Sequence, residues 1–356
     1  MFAKNQSFFR PVLSNNRFVL RNSRIFSTAP FEVGSIGSCR PMGKGSSLGF
    51  QPSFLVTEKD LDLPKRYQQY PIRKFSLAGV GIDTDRFINM VKPFYETMEW
   101  DYYDVRRDQV SLLKKKLPSA ILEYPIIQKE MKSFYEGKKS LNELLACFPE
   151  NTFSEEVIEG VRAVQPFRKK AAATFHVTFE PTLSITFKKT EPIAQLVPQS
   201  DIRSVPRVYQ EISPRLTSQP LFKEFLQKMS LLVKNVDPSI IEIDAVLWQT
   251  ALSPLANRLS TNSPEGIHQD GADFIVSALV IERENVEGGL SILYQDDKRT
   301  ELICTELQPG EAIFQADDKT PIWHNVTPVK VTNGATSGKR NSLGCDFSNV
   351  IRKIRN

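Results

Sequence analysis

A chain of 356 residues, 40% apolar and 24% charged, has the make-up of a globular protein with one large or two modest domains. No window approaches 18 unbroken apolar residues, which excludes a transmembrane helix and membrane insertion, and the 23 scattered prolines exclude a coiled coil or helical repeat array. The net charge of +5 is local: residues 1–26 hold Lys4, Arg10, Arg17, Arg21 and Arg24, and removing these five from 46 basic residues leaves 41, against 41 acidic ones. No basic face is implied for the rest of the chain, so nucleic acid is not an expected partner.

The first acidic residue is Glu32, and the segment before it is rich in Arg, Ser, Asn and Phe without an apolar run of signal-peptide length. That composition predicts a mitochondrial presequence over 1–26, processing near Phe26 or Ser27, and delivery to the matrix. Residues 27–53, rich in Gly, Ser and Pro, read as a flexible linker. Cys39, Cys147, Cys304 and Cys345 lie far apart with no C-x-x-C spacing, so neither a zinc site nor a disulfide framework is expected.

From 54 to 170 the pattern is mainly helical. Thr84-Asp85 opens a helix with Phe87, Val91, Phe94 and Met98 at helical spacing, kinked or ended by Pro93. Further helices are expected over Arg107–Leu117 and Ile126–Tyr135, with Lys114, Lys115 and Lys116 on a solvated face. Near 174 the period changes to two: Phe175, Val177 and Phe179, a turn at Glu180-Pro181, then Leu183, Ile185 and Phe187, a hairpin pattern. A helix opening between Ser218 and Pro220 carries Leu221, Phe225, Met229 and Leu232.

From Ile240 onward the chain reads as short strands: Ile240–Gln249, Phe274–Ile281, Leu290–Tyr294, Glu301–Leu307, Ala312–Ala316, Ile322–Val326 and Leu343–Phe347. Asn285 to Gly289 reads as a hairpin turn, Pro309-Gly310 as another, and Gly266 and Gly271 as tight turns. Strands this short and closely spaced predict a barrel or jelly roll. The expected fold is α+β, with a largely helical N-terminal part (54–170) packed on a β-core (171–356).

The chemistry rests on the histidines, of which there are three. His268-Gln269-Asp270 precedes a strand; in extended chain, residues i and i+2 point to one side, so His268 and Asp270 face a common ion. His324 lies at the end of a later strand that a rolled sheet returns beside the first. Two imidazoles and a carboxylate leave open positions on an octahedral ion, the facial triad of non-haem Fe(II) oxygenases. Arg340-Asn341-Ser342 opens the last strand: Arg340 offers a planar fork for a distal carboxylate, and Ser342, two residues on, faces the same side and adds a second donor. H-x-D, then His, then R-x-S is the ordered signature of 2-oxoglutarate-dependent oxygenases. His176 alternates with Phe175 and Val177 and is expected to pack or face solvent. Asp317 and Asp318 precede His324 and either orient a ligand or, the favoured reading, lie in a solvated loop, and Trp323 is expected to point away from the metal into the barrel wall.

A wider set of segments carries a resemblance: Ser263-Pro-Glu-Gly-Ile-His-Gln-Asp-Gly-Ala-Asp-Phe274, Val280-Ile-Glu-Arg-Glu-Asn-Val-Glu-Gly-Gly-Leu-Ser291, Leu307-Gln-Pro-Gly310, Asp317-Asp318 and His324-Asn-Val-Thr-Pro328. They resemble the 2OG-Fe dioxygenase family that includes the bacterial L-isoleucine 4-hydroxylase, densely from about 262 to 347, with a fainter likeness at Arg73-Lys-Phe-Ser76. The resemblance implies a double-stranded β-helix (jelly-roll, cupin-like) core and a hydroxylating oxidoreductase. It implies Fe(II) on His268, Asp270 and His324, 2-oxoglutarate on Arg340, O2 as oxidant, and a free amino acid or related metabolite as substrate. Pocket residues are expected from 54–170 and from loops around 250–262. Two other readings are a hydroxylase of a protein side chain, with the helices forming a peptide groove, and a non-catalytic cupin-like scaffold for a matrix partner.

Overall fold

In a computed structural model, residues 63–194 and 204–353 are described. The expected presequence, the linker and Cys39 lie outside them. The described cysteines, Cys147, Cys304 and Cys345, are free thiols. Among the described residues, no helix is long and apolar enough to cross a membrane.

Thirteen strands and eight α-helices alternate in the order β1 (Ile72–Ser76), α1 (Thr84–Val91), α2 (Tyr102–Lys114), α3 (Ser119–Leu122), α4 (Pro125–Tyr135), α5 (Leu141–Leu145), α6 (Glu155–Arg162), β2 (Arg168–Thr178), β3 (Ser184–Lys188), β4 (Gln210–Glu211), α7 (Pro214–Thr217), α8 (Pro220–Val236), β5 (Ile240–Leu252), β6 (Phe274–Glu284), β7 (Val286–Gly288), β8 (Ser291–Tyr294), β9 (Glu301–Thr305), β10 (Glu311–Ala316), β11 (Trp323–Val326), β12 (Val329–Val331) and β13 (Lys339–Arg352) within the described residues. The large sheet runs β1-β10-β6-β13-β5-β2-β3, with β4 beside β2; the small sheet runs β11-β8-β9, and β12 pairs with β7. Apart from β4, which is parallel to β2, the pairings are antiparallel. This is an α+β protein whose sheets form a double-stranded β-helix of jelly-roll type.

The apolar faces explain the layering. α8 buries Phe222, Phe225, Leu226, Met229, Leu232 and Val233 against one face of the large sheet, together with Phe87 and Val91 of α1. The Phe87 and Phe225 rings lie 4.9 Å apart. Burying such a side chain stabilises the fold by roughly 1.5–3 kcal/mol. β6 is apolar almost throughout because both its faces are covered, and its register against β13 shifts twice. The helices between β1 and β2 have a small core of their own, from Val110, Leu113, Met131, Phe134, Leu144, Phe153 and Val161 among others.

Local chemistry sets the helix ends. Asp83 caps α1, its carboxylate accepting from the Arg86 amide, and the helix stops at Val91, two residues before Pro93. α2 begins at Tyr102, earlier than apolar periodicity indicates, because the Asp101 carboxylate accepts from the Tyr103 amide. Lys114, Lys115 and Lys116 are exposed, as expected.

Three expectations are corrected. Residues 72–76, in the segment expected to be helical, form edge strand β1 against β10. Asn285–Gly289 is more than a turn: Val286–Gly288 is a short strand paired with β12, entered at positive φ (51°) at Asn285. The last strand extends well beyond Leu343–Phe347 on both sides, flanked by β5 and β6.

Candidate active site

β13 carries polar residues at alternate positions. Leu343, Cys345 and Phe347 join the apolar core. Ser342, Gly344 and Asp346 instead line a cavity of about 380 Å³, which His268, Asp270 and His324 also line. Arg340, at the same alternation, is fully buried.

The three expected metal-site residues come together through the backbone. His268 and His324 form an isolated antiparallel bridge, each amide donating to the other's carbonyl at 3.0 Å. Residues paired this way present their side chains on one face, and the ring centroids are 4.4 Å apart. Asp270 completes the set: Oδ1 lies 3.3 Å from His268 Nε2 and Oδ2 3.3 Å from His324 Nε2. One ligand atom from each of the three lies within 4.8 Å of the others.

The opposite edge of His268 is hydrogen-bonded, and that of His324 faces a carboxylate beyond hydrogen-bond geometry. His268 Nδ1 is 2.8 Å from the Gly266 carbonyl, which only accepts, so Nδ1 carries a proton and Nε2 is the nitrogen that faces Asp270. His324 Nδ1 is 3.4 Å from Asp317 Oδ1. The expectation of a solvated loop is thus corrected for Asp317, which is completely buried; its other oxygen accepts from the Gly271 amide at 2.9 Å. Asp318 pairs at the surface with Lys319. Gln269, between the two ligands of the H-x-D tripeptide, donates to the carbonyls of Asp317, Thr320 and Ile322, pinning the loop that leads to His324.

Electrostatics favours a cation here. Burial alone would lower the His324 pKa, but Asp270 and then Asp317 outweigh it and raise it to about 10. Burial would raise Asp270, yet His324 and His268 hold it well below the usual carboxylate range. The field that keeps a proton between these groups also attracts a divalent metal, which competes with that proton. Two Nε2 donors and a carboxylate with fixed outer partners fit Fe(II).

None of the three guanidinium nitrogens of Arg340 has a hydrogen-bond partner among the described residues. Burial, then the neighbouring Arg283, pushes its pKa down to about 10, so it stays cationic at neutral pH. Gly289 makes the space: a Cβ there would lie 2.7 Å from Arg340 Nε. The Ser342 side chain faces the cavity, and its carbonyl accepts from the Tyr95 hydroxyl at 2.8 Å. A buried cation without an internal partner costs several kcal/mol, and a carboxylate from a ligand relieves it.

Other cavity residues were expected only by segment: 54–170 and the stretch around 250–262 supply most of them, whereas Arg207 and Trp248 fall outside both. Asp104 and Arg107 of α2 and Tyr135 of α4 wall one side; Arg168 and Lys170 of β2, Arg207, and Trp248 and Thr250 of β5 form another. The one sequence signal was the basic run Arg168–Lys170 at the head of an apolar strand. For Asp346 it was the even spacing from Arg340 and Ser342. His176 lies elsewhere, its Nδ1 2.9 Å from Asp244 Oδ1. Trp323 faces away from the cavity, with Lys298 Nζ 3.4 Å from its ring centroid.

Comparison with known proteins accords with this architecture. The crystal structure of a bsmA homolog from Methylobium petroleophilum PM1 is similar, with TM-score 0.55 and 14% identity over 81% of this chain and 95% of the other. Weaker overlap is found with IDO from Bacillus thuringiensis (TM-score 0.41, 17% identity, 51% of this chain, 74% of the other). The Fe(II)/α-ketoglutarate-dependent dioxygenase TqaL overlaps similarly (TM-score 0.39, 14% identity, 72% of this chain, 91% of the other). No curated protein matches the sequence. The 2OG-Fe dioxygenase family model matches residues 152–346, a span that holds the His-Asp-His cluster, Arg340 and Ser342. The chain therefore belongs to the 2OG-Fe dioxygenase family and is a non-haem oxygenase that uses Fe(II), 2-oxoglutarate and O2.

Proposed function

We propose that this enzyme hydroxylates a small polar substrate, a free amino acid or a metabolite of similar size. In this reading His268, Asp270 and His324 hold Fe(II), Arg340 binds the distal carboxylate of 2-oxoglutarate, and Ser342 adds a hydrogen bond. The observation that carries it is the buried, unpartnered Arg340, two residues along β13 from a serine on the wall that the His-Asp-His cluster shares.

When bound, iron and 2-oxoglutarate supply the oxidation, in which O2 yields succinate, CO2 and a hydroxylated substrate. The protein positions and shields. The Gly266 carbonyl fixes the ring edge of His268, Asp317 lies beside that of His324, and both Nε2 atoms are directed at Asp270. Arg340 sets the end of the cosubstrate by charge and fork geometry. α2 and α4 close one side with Asp104, Arg107 and Tyr135, which favours a small substrate over a peptide.

Succinate release tests the reading: protein starting near Ser27, loaded anaerobically with Fe(II), is given 2-oxoglutarate, ascorbate and pooled free amino acids. Release dependent on an amino acid, and lost in His268→Ala, supports it. Background release that rises only with a peptide favours a protein side chain as substrate. We also place the enzyme in the mitochondrial matrix, on the basic, acid-free composition of residues 1–26; a fluorescent fusion excluded from mitochondria would overturn that placement.

A further inference from the structure

The cavity holds four basic residues, and they differ in how they are satisfied. Arg168 is fully engaged: it pairs with Asp101 at 2.7 Å and Asp104 at 2.8 Å, and donates to the Asn262 carbonyl. Arg107 pairs with Asp104 and Asp108. Lys170 and Arg207 have no ion pair among the described residues. They rest on aromatic rings: Lys170 Nζ lies 4.1 Å from the Trp248 centroid and 5.4 Å from that of Tyr209, and Arg207 Cζ lies 5.9 Å from the same Tyr209 ring. Arg207 Nε is buried without a hydrogen-bond partner.

Two cations sharing one aromatic platform repel each other. Burial, then Arg168 and Arg207, pulls the Lys170 ammonium down to about 8, so it remains mostly charged at neutral pH. Such a pair persists in a cavity wall when an anion offsets it on binding. The cosubstrate is held elsewhere in the reading above. Lys170 pairs across to Thr250 and Thr250 to Ser342, a row over three strands that puts Lys170 about 10 Å from Ser342 at ordinary strand spacing.

We propose that Lys170 and Arg207 form an anion subsite for the primary substrate, and that this substrate carries a carboxylate. The inference rests on the oxygenase reading and adds which end of the substrate is recognised, and by what. The rest of the wall argues against a dianion such as a phosphate ester, because Glu265 lines the same cavity, while burial, then Asp270, pushes the Asp346 carboxyl up to about 8 and leaves it a hydrogen-bonding group at neutral pH. Asp346 is held by Trp248 Nε1, which donates to it at 2.6 Å, so one indole links the cationic pair to an acid. A monoanion bearing a neutral or cationic group elsewhere meets both.

The test is succinate release by the Fe(II)- and 2-oxoglutarate-loaded enzyme over a panel of L-amino acids, their decarboxylated amines, their amides and several phosphate esters. Acceleration confined to compounds with a free carboxylate is expected. Lys170→Met and Arg207→Met should each raise KM for the accelerating compound about tenfold or more, with a smaller change in kcat, and Lys170→Arg should recover most of the loss. Anaerobic calorimetry with that compound should rank the variants alike without turnover. Equal acceleration by amines or amides, acceleration by phosphate esters alone, or unchanged KM in both methionine variants overturns the proposal. So does succinate release that no carboxylate accelerates, which leaves the oxygenase standing. Succinate release no greater than that of His268→Ala would instead overturn the underlying reading.

Discussion

His268 and His324, distant in sequence, exchange both of their backbone hydrogen bonds at 3.0 Å, so the two imidazoles are adjacent because the chain itself is paired there. Asp317 reinforces the pair, one oxygen on the Gly271 amide and the other near His324 Nδ1. Asp317→Asn should weaken Fe(II) or Co(II) affinity about 10–100-fold. His324→Ala should abolish binding. Metal titration followed by calorimetry checks both, and wild-type affinity in Asp317→Asn would remove that residue from the site.

Arg340 should show opposite effects on stability and function. Arg340→Met removes a buried cation with no internal partner, so the metal- and cosubstrate-free variant should melt higher than the wild type. Its KM for 2-oxoglutarate should rise by about 100-fold or more. The wild type should gain thermal stability from 2-oxoglutarate in the presence of metal, whereas the variant should gain little. Thermal melts with and without cosubstrate separate these effects.

Lys170 gives the substrate step a pH dependence. Its ammonium, lowered to about 8 by burial and by Arg168 and Arg207, is charged below that pH and neutral above it. KM for a carboxylate substrate should therefore climb as pH rises through about 8. In Lys170→Arg the climb should shrink to the part set by Asp346, whose carboxyl burial pushes up to about 8, because guanidinium stays protonated. Initial rates between pH 6.5 and 9.5 give the comparison.

His176 serves stability rather than the site. Its hydrogen bond with Asp244 raises the imidazole pKa above its ordinary value of 6.5. The associated stabilisation is complete below 6.5 and is lost as pH rises through the raised folded-state pKa. His176→Gln should lower the urea midpoint more at pH 5.5 than at pH 9, and an equal drop at both would show that the charge is not involved.

Short motifs and strict alternation were legible in the sequence; contacts across the fold were not. The H-x-D tripeptide, His324 and R-x-S could be read because period two dictates which side chains share a face. β1 was missed because Arg73 and Lys74 interrupt its apolar pattern on a short edge strand. β13 looked too short because the polar run Lys339 to Ser342 opens it and Ser348 and Asn349 interrupt its far end, so the stretch that conceals the start of the strand is the one that carries Arg340 and Ser342. Lys170 lies ahead of the alternation that begins near 174, and its role shows only in the approach of Trp248, Tyr209 and Arg207. Asp317 gave no local sign of burial, since its partners are Gly271 and His324.

Gln269 has a consequence for how the enzyme acquires iron. One amide group fastens three carbonyls of the following loop, and the reciprocal histidine bridge closes the other side. Neither device needs the metal. Chelated protein should thus keep a ready-made receptacle, and reloading should proceed at the rate at which iron reaches the cavity, with no lag for the ligands to reassemble.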